Sequence, residues 1–592
     1  MKIQKLVIVA AICTSGLCGF ANAVDESKNG LHEAPFSFKT KVDLVPGKRY
    51  RVSCRFKQEN LRLKDGRESE ARIGFWIYDA NGKVCRTETC HGGFSVRGKK
   101  GNADWYELAD TSVTIPTNAV YAYFEQYTEK KAVGKVWMAD AKVEPFDPSP
   151  VDYVVNSAYR DEAREGDVTF TMSFNSGFSV SDCRAEMEYP GADGHARRRR
   201  MELSGVEHSA SAKVPVCDMA MGTNDFRFVL LRSDGTGELW STTMKFARTN
   251  GLAHPAVWCG PDGKFVVRGK KFWPLATTLW GADLKLGPDV RRMLEECSYN
   301  SFVVNSADGK LLDWIEKCDK MAIARLPHDD GGLVMKLQEL KGRPCVLMWY
   351  LYDEPHAFGN ADKMRKHERL TRLHDPDHPT RSCFDKIYYA RMFLDCQDVI
   401  CADPYPIGGG AEIGQVLDYT RQLNSGIFAS KPLIMTLQSF DWTWYRGVAD
   451  ERARGNHVRR MPTENEMRNM AWQAIVGGAN GLTWYSMHGL LSFLKPADKD
   501  RVLGEVLKVA REIADMIPVM LDEDVVLPGA AKLPKAVGVR AWRHGDKVYL
   551  VAVNSSRETV SCSLDLGNGF PLRNILIELA PIQTRFYELP NR

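Results

Sequence analysis

Between residues 35 and 147, apolar and polar residues alternate in short runs broken by turn residues. That is the period-two pattern of half-buried strands. Residues 50–57 (YRVSCRFK), 71–79 (ARIGFWIYD), 112–115 (SVTI) and 120–126 (VYAYFEQ) are the clearest runs, and Ala80-Asn81-Gly82 supplies a turn. Pro148-Ser149-Pro150 reads as a linker. Residues 151–249 continue in strands, with 168–174 (VTFTMSF) and 225–232 (DFRFVLLR) the most regular and a turn at Asp234-Gly235. An immunoglobulin-like sandwich is expected there. Within it, Arg197–Arg200 is a run of four arginines, read as a solvated hairpin or as a contact for an acidic polymer.

From Val257 the rhythm changes to short apolar runs separated by helical stretches, the signature of βα units. The runs are 272–280 (FWPLATTLW), 300–305 (NSFVVN), 321–327 (MAIARLP), 344–352 (PCVLMWYLY), 381–384, 398–404 (DVICADP), 432–438 (PLIMTLQ) and 481–485 (GLTWY). Eight such units over residues 257–520 predict a (β/α)8 TIM barrel. A helix is expected over 465–475, because Thr463 and Glu466 form a capping-box pattern ahead of it. Residues 525–592 return to alternation, with a turn at His544-Gly545-Asp546, and predict a terminal β-sandwich.

The chain has 592 residues, enough for several domains of ~100–200 residues each. With 79 Lys+Arg against 75 Asp+Glu it lacks the basic excess of a nucleic-acid binder, so no nucleic-acid partner is expected. Residues 1–23 read as a cleaved secretory signal: Lys2 and Lys5, then LVIVAAIC, then Ala21-Asn22-Ala23. Lipidation at Cys18 lacks the usual preceding pattern. No later stretch approaches the ~20 apolar residues of a membrane span. A periplasmic or extracellular protein without stable membrane insertion is expected, beginning its first module at residue 24. Of fifteen cysteines, Cys13 and Cys18 fall in the leader and leave an odd thirteen. Cys85 and Cys90 are the expected local bridge, while Cys345, Cys383 and Cys401 fall in barrel strands, where free cysteine packs as a small hydrophobe.

The segments PFSFKTKVDLVPGKRYRVSCRFK, WYELADTSVTIP and GKVWMADAKVEP make residues 24–147 resemble jelly-roll carbohydrate-binding modules. The resemblance implies that Trp76, Trp105 and Tyr123 can stack on sugar rings, although all three also read as ordinary core aromatics.

Barrel chemistry gathers at the C-terminal ends of the strands. The fourth run passes from apolar residues directly into Asp353-Glu354-Pro355-His356, placing Glu354 at the mouth beside aromatic side chains. Such neighbours desolvate a carboxylate and raise its pKa, as a general acid requires. WYLYDEPH resembles the acid/base motif of the retaining clan-A glycoside hydrolases, and the resemblance covers roughly residues 257–517. It implies Glu354 as the acid/base and Asp353 where many members carry an asparagine that contacts the sugar. It also implies a nucleophilic glutamate at the end of strand seven, but Gln438 stands there. A neutral amide cannot form a glycosyl-enzyme intermediate. Three explanations stay open: another carboxylate serves, Asp403 first and then Asp385 or Asp441; the enzyme inverts; or the barrel binds sugar without cleaving it.

Trp280, His328, Tyr405, Trp442, Tyr485 and His488 fall at or just after predicted strand ends and are candidate sugar contacts, with Asp353 and Gln438. Trp444 falls there as well. No metal site and no cofactor are expected, since HExxH and paired CxxC motifs are missing, and Gly408-Gly409-Gly410 lacks a phosphate-loop context. The expected protein is a secreted glycoside hydrolase with a carbohydrate substrate; the alternative is a non-catalytic carbohydrate-binding or scaffold protein with a degenerate barrel.

Overall fold

A computed structural model describes residues 28–590, apart from 88–89, 176–177, 206–207, 251–254, 261, 280–286, 305–308, 356–360, 386, 388–389, 391–392 and 445–458. The expected signal segment and Trp280 therefore lie outside the described residues. Among the described residues, no helix is long and apolar enough to cross a membrane. The chain divides into two compact units, one running up to Ser149 and including Asn175, the other made of Pro150–Phe174 with Phe178 onward.

The first unit is a seven-stranded antiparallel arrangement. Its long central strand, Gly93–Thr111, pairs through its first half with Glu70–Asp79 and through its second half with Arg49–Leu63. Alternation turns Tyr50, Val52, Phe56, Phe75 and Phe124 into the core. Trp76 and Tyr123 are directly paired, on the opposite face of the same strands and outside that core. Trp105 is 40% exposed, under the Arg55 guanidinium. None of the three is a core residue. Cys85 is buried and its thiol donates to Asn118 Oδ1 at 3.3 Å; the side chain of Cys90 lies outside the described residues, and with it the expected bridge.

The second unit contains the next sandwich, the barrel and the terminal sandwich. In the first of these, two sheets close over Phe170, Met187, Phe226 and Phe246. Arg197–Arg200 lie on its exposed edge strand, Ala196–Arg200, which among the described residues pairs only with Cys183–Pro190, and where charge discourages further strand pairing.

The barrel closes from eight parallel strands: Leu275–Leu279, Ser301–Val304, Met321–Arg325, Val346–Asp353, Thr380–Phe384, Val399–Ala402, Leu433–Gln438 and Gly481–Tyr485. Each falls within or beside a run expected from the hydrophobic pattern. Ala276, Ile323, Leu347, Val399 and Ile434 belong to one buried cluster inside the barrel. The helix after strand seven is Glu464–Val476, and Thr463 and Glu466 form its capping box.

The barrel is braced at two places. Arg160, from the sandwich, reaches the start of the sixth strand: Nη2 lies 2.9 Å from Asp398 Oδ2 and donates to His378 O, while Nη1 donates to Pro376 O. Asp398 is buried, but the Arg160 charge overrides burial and holds its carboxyl well below the ordinary range. On the other side, Glu466 accepts from Arg460 and from Arg557 of the terminal sandwich. Burial opposes its charge, yet these arginines and the Thr463 amide lower it to about 2. Trp542, Val551 and Val553 of that sandwich belong to the same buried cluster as the barrel helices. The terminal sandwich thus shares the barrel's outer core.

Candidate active site

Period-two alternation decides which side chains look inward at the barrel mouth. On strand five Arg381, Cys383 and Asp385 share one parity, and all line a cavity of about 390 Å³. On strand six the same parity continues past the strand end to Asp403 and Tyr405, which also line it. Thr278, Thr436 and Thr483 come from strands one, seven and eight, and bring hydroxyls to the wall.

Strand four does not alternate simply. Its pairing shifts register at Ala322/Ile323 of strand three and, against strand five, at its own Tyr350/Tyr352. The result is that Tyr350 faces in, Leu351 and Tyr352 both face the outer core, and Asp353 faces in again. Irregularities of this kind re-aim side chains at barrel rims. Glu354 follows with φ of 47°, a left-handed backbone that a glutamate adopts only at a cost of ~1–3 kcal/mol. Its N–H is tied to Cys383 O at 2.9 Å, so the neighbouring strand holds the strained residue in place.

Asp353, Glu354, Asp385 and Asp403 thus all line one cavity. Tyr350 OH donates to Asp353 Oδ1 at 2.6 Å. The Arg381 guanidinium lies over the Tyr350 ring at 4.6 Å, and its Nη1 donates to Thr483 Oγ1 at 3.3 Å. Asp403 Oδ1 is fully shielded and has no hydrogen-bond partner among the described residues. Burial, first, and then the neighbouring Asp353, Cys401, Glu354 and Asp385 push its carboxyl well above the usual aspartate range. Asp403 therefore keeps a proton well above the pH at which an ordinary aspartate loses it.

One wall is aromatic. Tyr405 meets Phe440 at 5.0 Å, Tyr485 at 5.9 Å and Trp442 at 6.2 Å between ring centroids. The loop after strand six turns tightly beneath it: Gly408 has φ of 72°, and a Cβ on Gly409 would lie 2.5 Å from Tyr405 O. The three glycines serve this turn.

Gln438 does not line the cavity. Its Oε1 accepts from Ile407 N at 2.9 Å, and its Nε2 donates to Ile407 O at 2.8 Å and to Phe440 O at 3.2 Å. A neutral amide is needed for that pattern, since it requires one acceptor and two donors. Asp441 accepts from the Thr443 N–H and hydroxyl in a local turn and is not on the cavity wall. His328 stacks on Tyr352 at 4.6 Å, on the outer side of strand four, and burial lowers it to about 4. His488 packs 5.7 Å from Tyr485 and also lies off the lining, its pKa lowered by burial.

Of the residues singled out in the sequence, the cavity brings together Asp353, Glu354, Asp385, Asp403, Tyr405, Trp442 and Tyr485. It leaves aside Gln438, His328, Asp441, Trp444 and His488. Arg381, Cys383 and the three threonines were missed; the parity of Arg381 and Cys383 with Asp385 was the signal that finds them. Gln415 and Tyr419, one helical turn apart on Gln415–Gly426, are further lining residues that carried no strand-end signal. Among the described residues, no cluster of three or more His, Cys, Asp or Glu is placed to hold a metal ion.

No protein-family model and no curated protein matches the chain. Solved structures do. A Bacteroides fragilis protein described as a candidate beta-galactosidase is similar over 95% of this chain and 90% of its own, at 11% identity and a TM-score of 0.32. A Parabacteroides merdae beta-glucuronidase is similar over 96% of this chain and 94% of its own, at 10% identity and a TM-score of 0.29. Bacteroides uniformis beta-glucuronidase 2 is similar over 95% of this chain and 74% of its own, at 10% identity and a TM-score of 0.31.

Proposed function

We propose that this chain is an exported glycoside hydrolase, cleaving an oligo- or polysaccharide in the mouth of its barrel with Glu354 and Asp403 as the reacting carboxyl pair. The observation that carries the reading is the buried Asp403 Oδ1, unpartnered among the described residues, in a cavity that this residue shares with Glu354, Asp353 and Asp385. Glycoside hydrolysis needs two carboxyl groups in different states: one protonates the leaving oxygen, and the other attacks the anomeric carbon or activates water. Environments that push such groups apart mark the acid and its partner. The upward shift suits Asp403 to the donor role, with Glu354 as the partner. This exchanges the roles that the strand-four motif implies, in which Glu354 is the donor.

The remaining wall suits a sugar. Tyr405, Trp442 and Tyr485 offer faces to C–H surfaces, and Thr278, Thr436 and Thr483 offer hydroxyls to the polar edge. Export rests on the leader-like residues 1–23. A second reading, a carbohydrate binder that does not cleave, draws support from Gln438, which replaces the expected nucleophile and is committed to backbone atoms.

A panel of polysaccharides and aryl glycosides, assayed for both binding and released reducing ends, separates the two. Release of product from at least one member is the expected result. Binding without release across the panel would refute the hydrolase reading and favour the binder.

A further inference from the structure

Beneath the carboxyl groups, strands five and six set two thiols side by side. Cys383 and Cys401 are direct partners in the parallel register, and their sulfurs stand 3.3 Å apart. Both are buried and neither is bridged. Thr436 Oγ1 lies 3.1 Å from Cys401 Sγ and 3.9 Å from Cys383 Sγ. Cys383 reaches the cavity wall, whereas Cys401 sits below it. A solute small enough to enter the cavity therefore meets this pair through Cys383.

The surroundings favour one thiolate in the pair. Burial alone raises both thiols, and Cys383 stays raised. For Cys401 the burial effect is outweighed by the hydrogen bond with Cys383, the Arg381 charge and the Thr436 hydroxyl, which together bring it down to about 7. The thiolate is the reactive form of cysteine. Backbone spacing also permits a bond. Neighbouring strands run ~4.8 Å apart, inside the Cα separations of about 4.4–6.8 Å that disulfides span.

We propose that Cys383 and Cys401 form an oxidisable dithiol, a modification site that a small peroxide reaches through the cavity and converts into an intrachain disulfide. In the first step one sulfur of the pair attacks the peroxide O–O bond. That sulfur takes one OH to become a sulfenic acid, and the other oxygen leaves as water after collecting the pair's mobile proton. The second sulfur then displaces the hydroxyl as a second water and the S–S bond forms. Two thiols and one hydrogen peroxide give one disulfide and two waters; the sulfurs are oxidised by two electrons and the peroxide is reduced by two.

Closure draws the sulfurs from 3.3 Å to a bond of about 2.05 Å. It acts on the strand that holds the site, because Cys383 O accepts the Glu354 N–H and Cys383 is the register partner of Asp353. An effect on turnover rests on the hydrolase reading; formation of the disulfide does not.

The test is treatment of the full chain with hydrogen peroxide, alkylation under denaturing conditions and non-reducing peptide mapping by mass. A peptide joining Cys383 to Cys401, ~2 Da lighter than the sum of its parts and separated by dithiothreitol, is expected. Cys383→Ser and Cys401→Ser should each abolish it. Full alkylation of both residues after treatment, or bridging of either to a different cysteine, would overturn the proposal. Because the readout is a mass, it stands whether or not the chain cleaves a glycoside.

Discussion

The hydroxyl of Tyr350 donates a 2.6 Å hydrogen bond to Asp353 Oδ1, while the guanidinium of Arg381 covers the Tyr350 ring. One buried cation thus orients, through an aromatic ring, a carboxylate on the cavity wall. Tyr350→Phe keeps the ring and removes the hydrogen bond. Bonds to charged acceptors contribute ~1.5–3 kcal/mol. Turnover should fall about tenfold or more while the thermal midpoint moves little, as read by steady-state kinetics alongside calorimetry. Unchanged turnover would mean that Asp353 needs no such hold.

Asp403 should impose a pH-dependent cost on folding. Its carboxyl is raised in the folded state, so the native protein binds the proton more tightly than the unfolded chain. The cost is absent below the unfolded pKa of ~3.9 and grows as pH rises from there toward the folded value. Asp403→Asn should therefore melt higher than the parent at pH 8, with the difference shrinking toward pH 4. Activity of the parent should decline on the alkaline side as Asp403 loses its proton. Equal midpoints for parent and variant at pH 8 would contradict the burial argument.

Gln438→Glu tests whether strand seven has merely lost a nucleophile. A carboxylate there would face the carbonyls of Ile407 and Phe440, which now accept from the amide. A loss of about 1–3 kcal/mol is expected from the buried carbonyls left without donors, with no gain in turnover. Denaturant titration gives the first quantity and a glycoside assay the second. A rise in activity would show that the position retains catalytic geometry.

Arg160 and Asp398 join the sandwich to the foot of the barrel within one unit. Removing one member of a buried ion pair costs ~3–5 kcal/mol, because the other charge is left behind. Arg160→Leu is expected to lose stability on that scale, and Asp398→Asn in the same chain should recover part of it. A double-mutant cycle by urea unfolding measures the coupling, and additive losses would refute it.

Much of the barrel was legible in the sequence because apolar runs of strand length recur between helical stretches, and each run found its strand. The carboxyl groups Asp353, Glu354 and Asp403 were legible for the same reason, as charged residues that end apolar runs. Four features were not. The register shifts in strand four are a property of pairing, and they send Tyr352 to the outer core, where it holds His328 away from the mouth. Two of the bonds of Gln438 go to Ile407, thirty-one residues away. Arg381 opens a short run with nothing in the sequence to mark its side chain, yet it is buried over the Tyr350 ring, and only barrel closure brings those two side chains together. Alternation marks the strands of the terminal sandwich, but the core it shares with the barrel helices depends on which faces meet.

The most direct test of the account is the steady-state turnover of Glu354→Gln on a glycoside that the parent cleaves. Loss of an acid, base or nucleophile of this kind costs ~10²-fold or more in rate. That loss is expected with the fold intact by circular dichroism and melting. Parent-like turnover in the folded variant would contradict it and remove Glu354 from the chemistry.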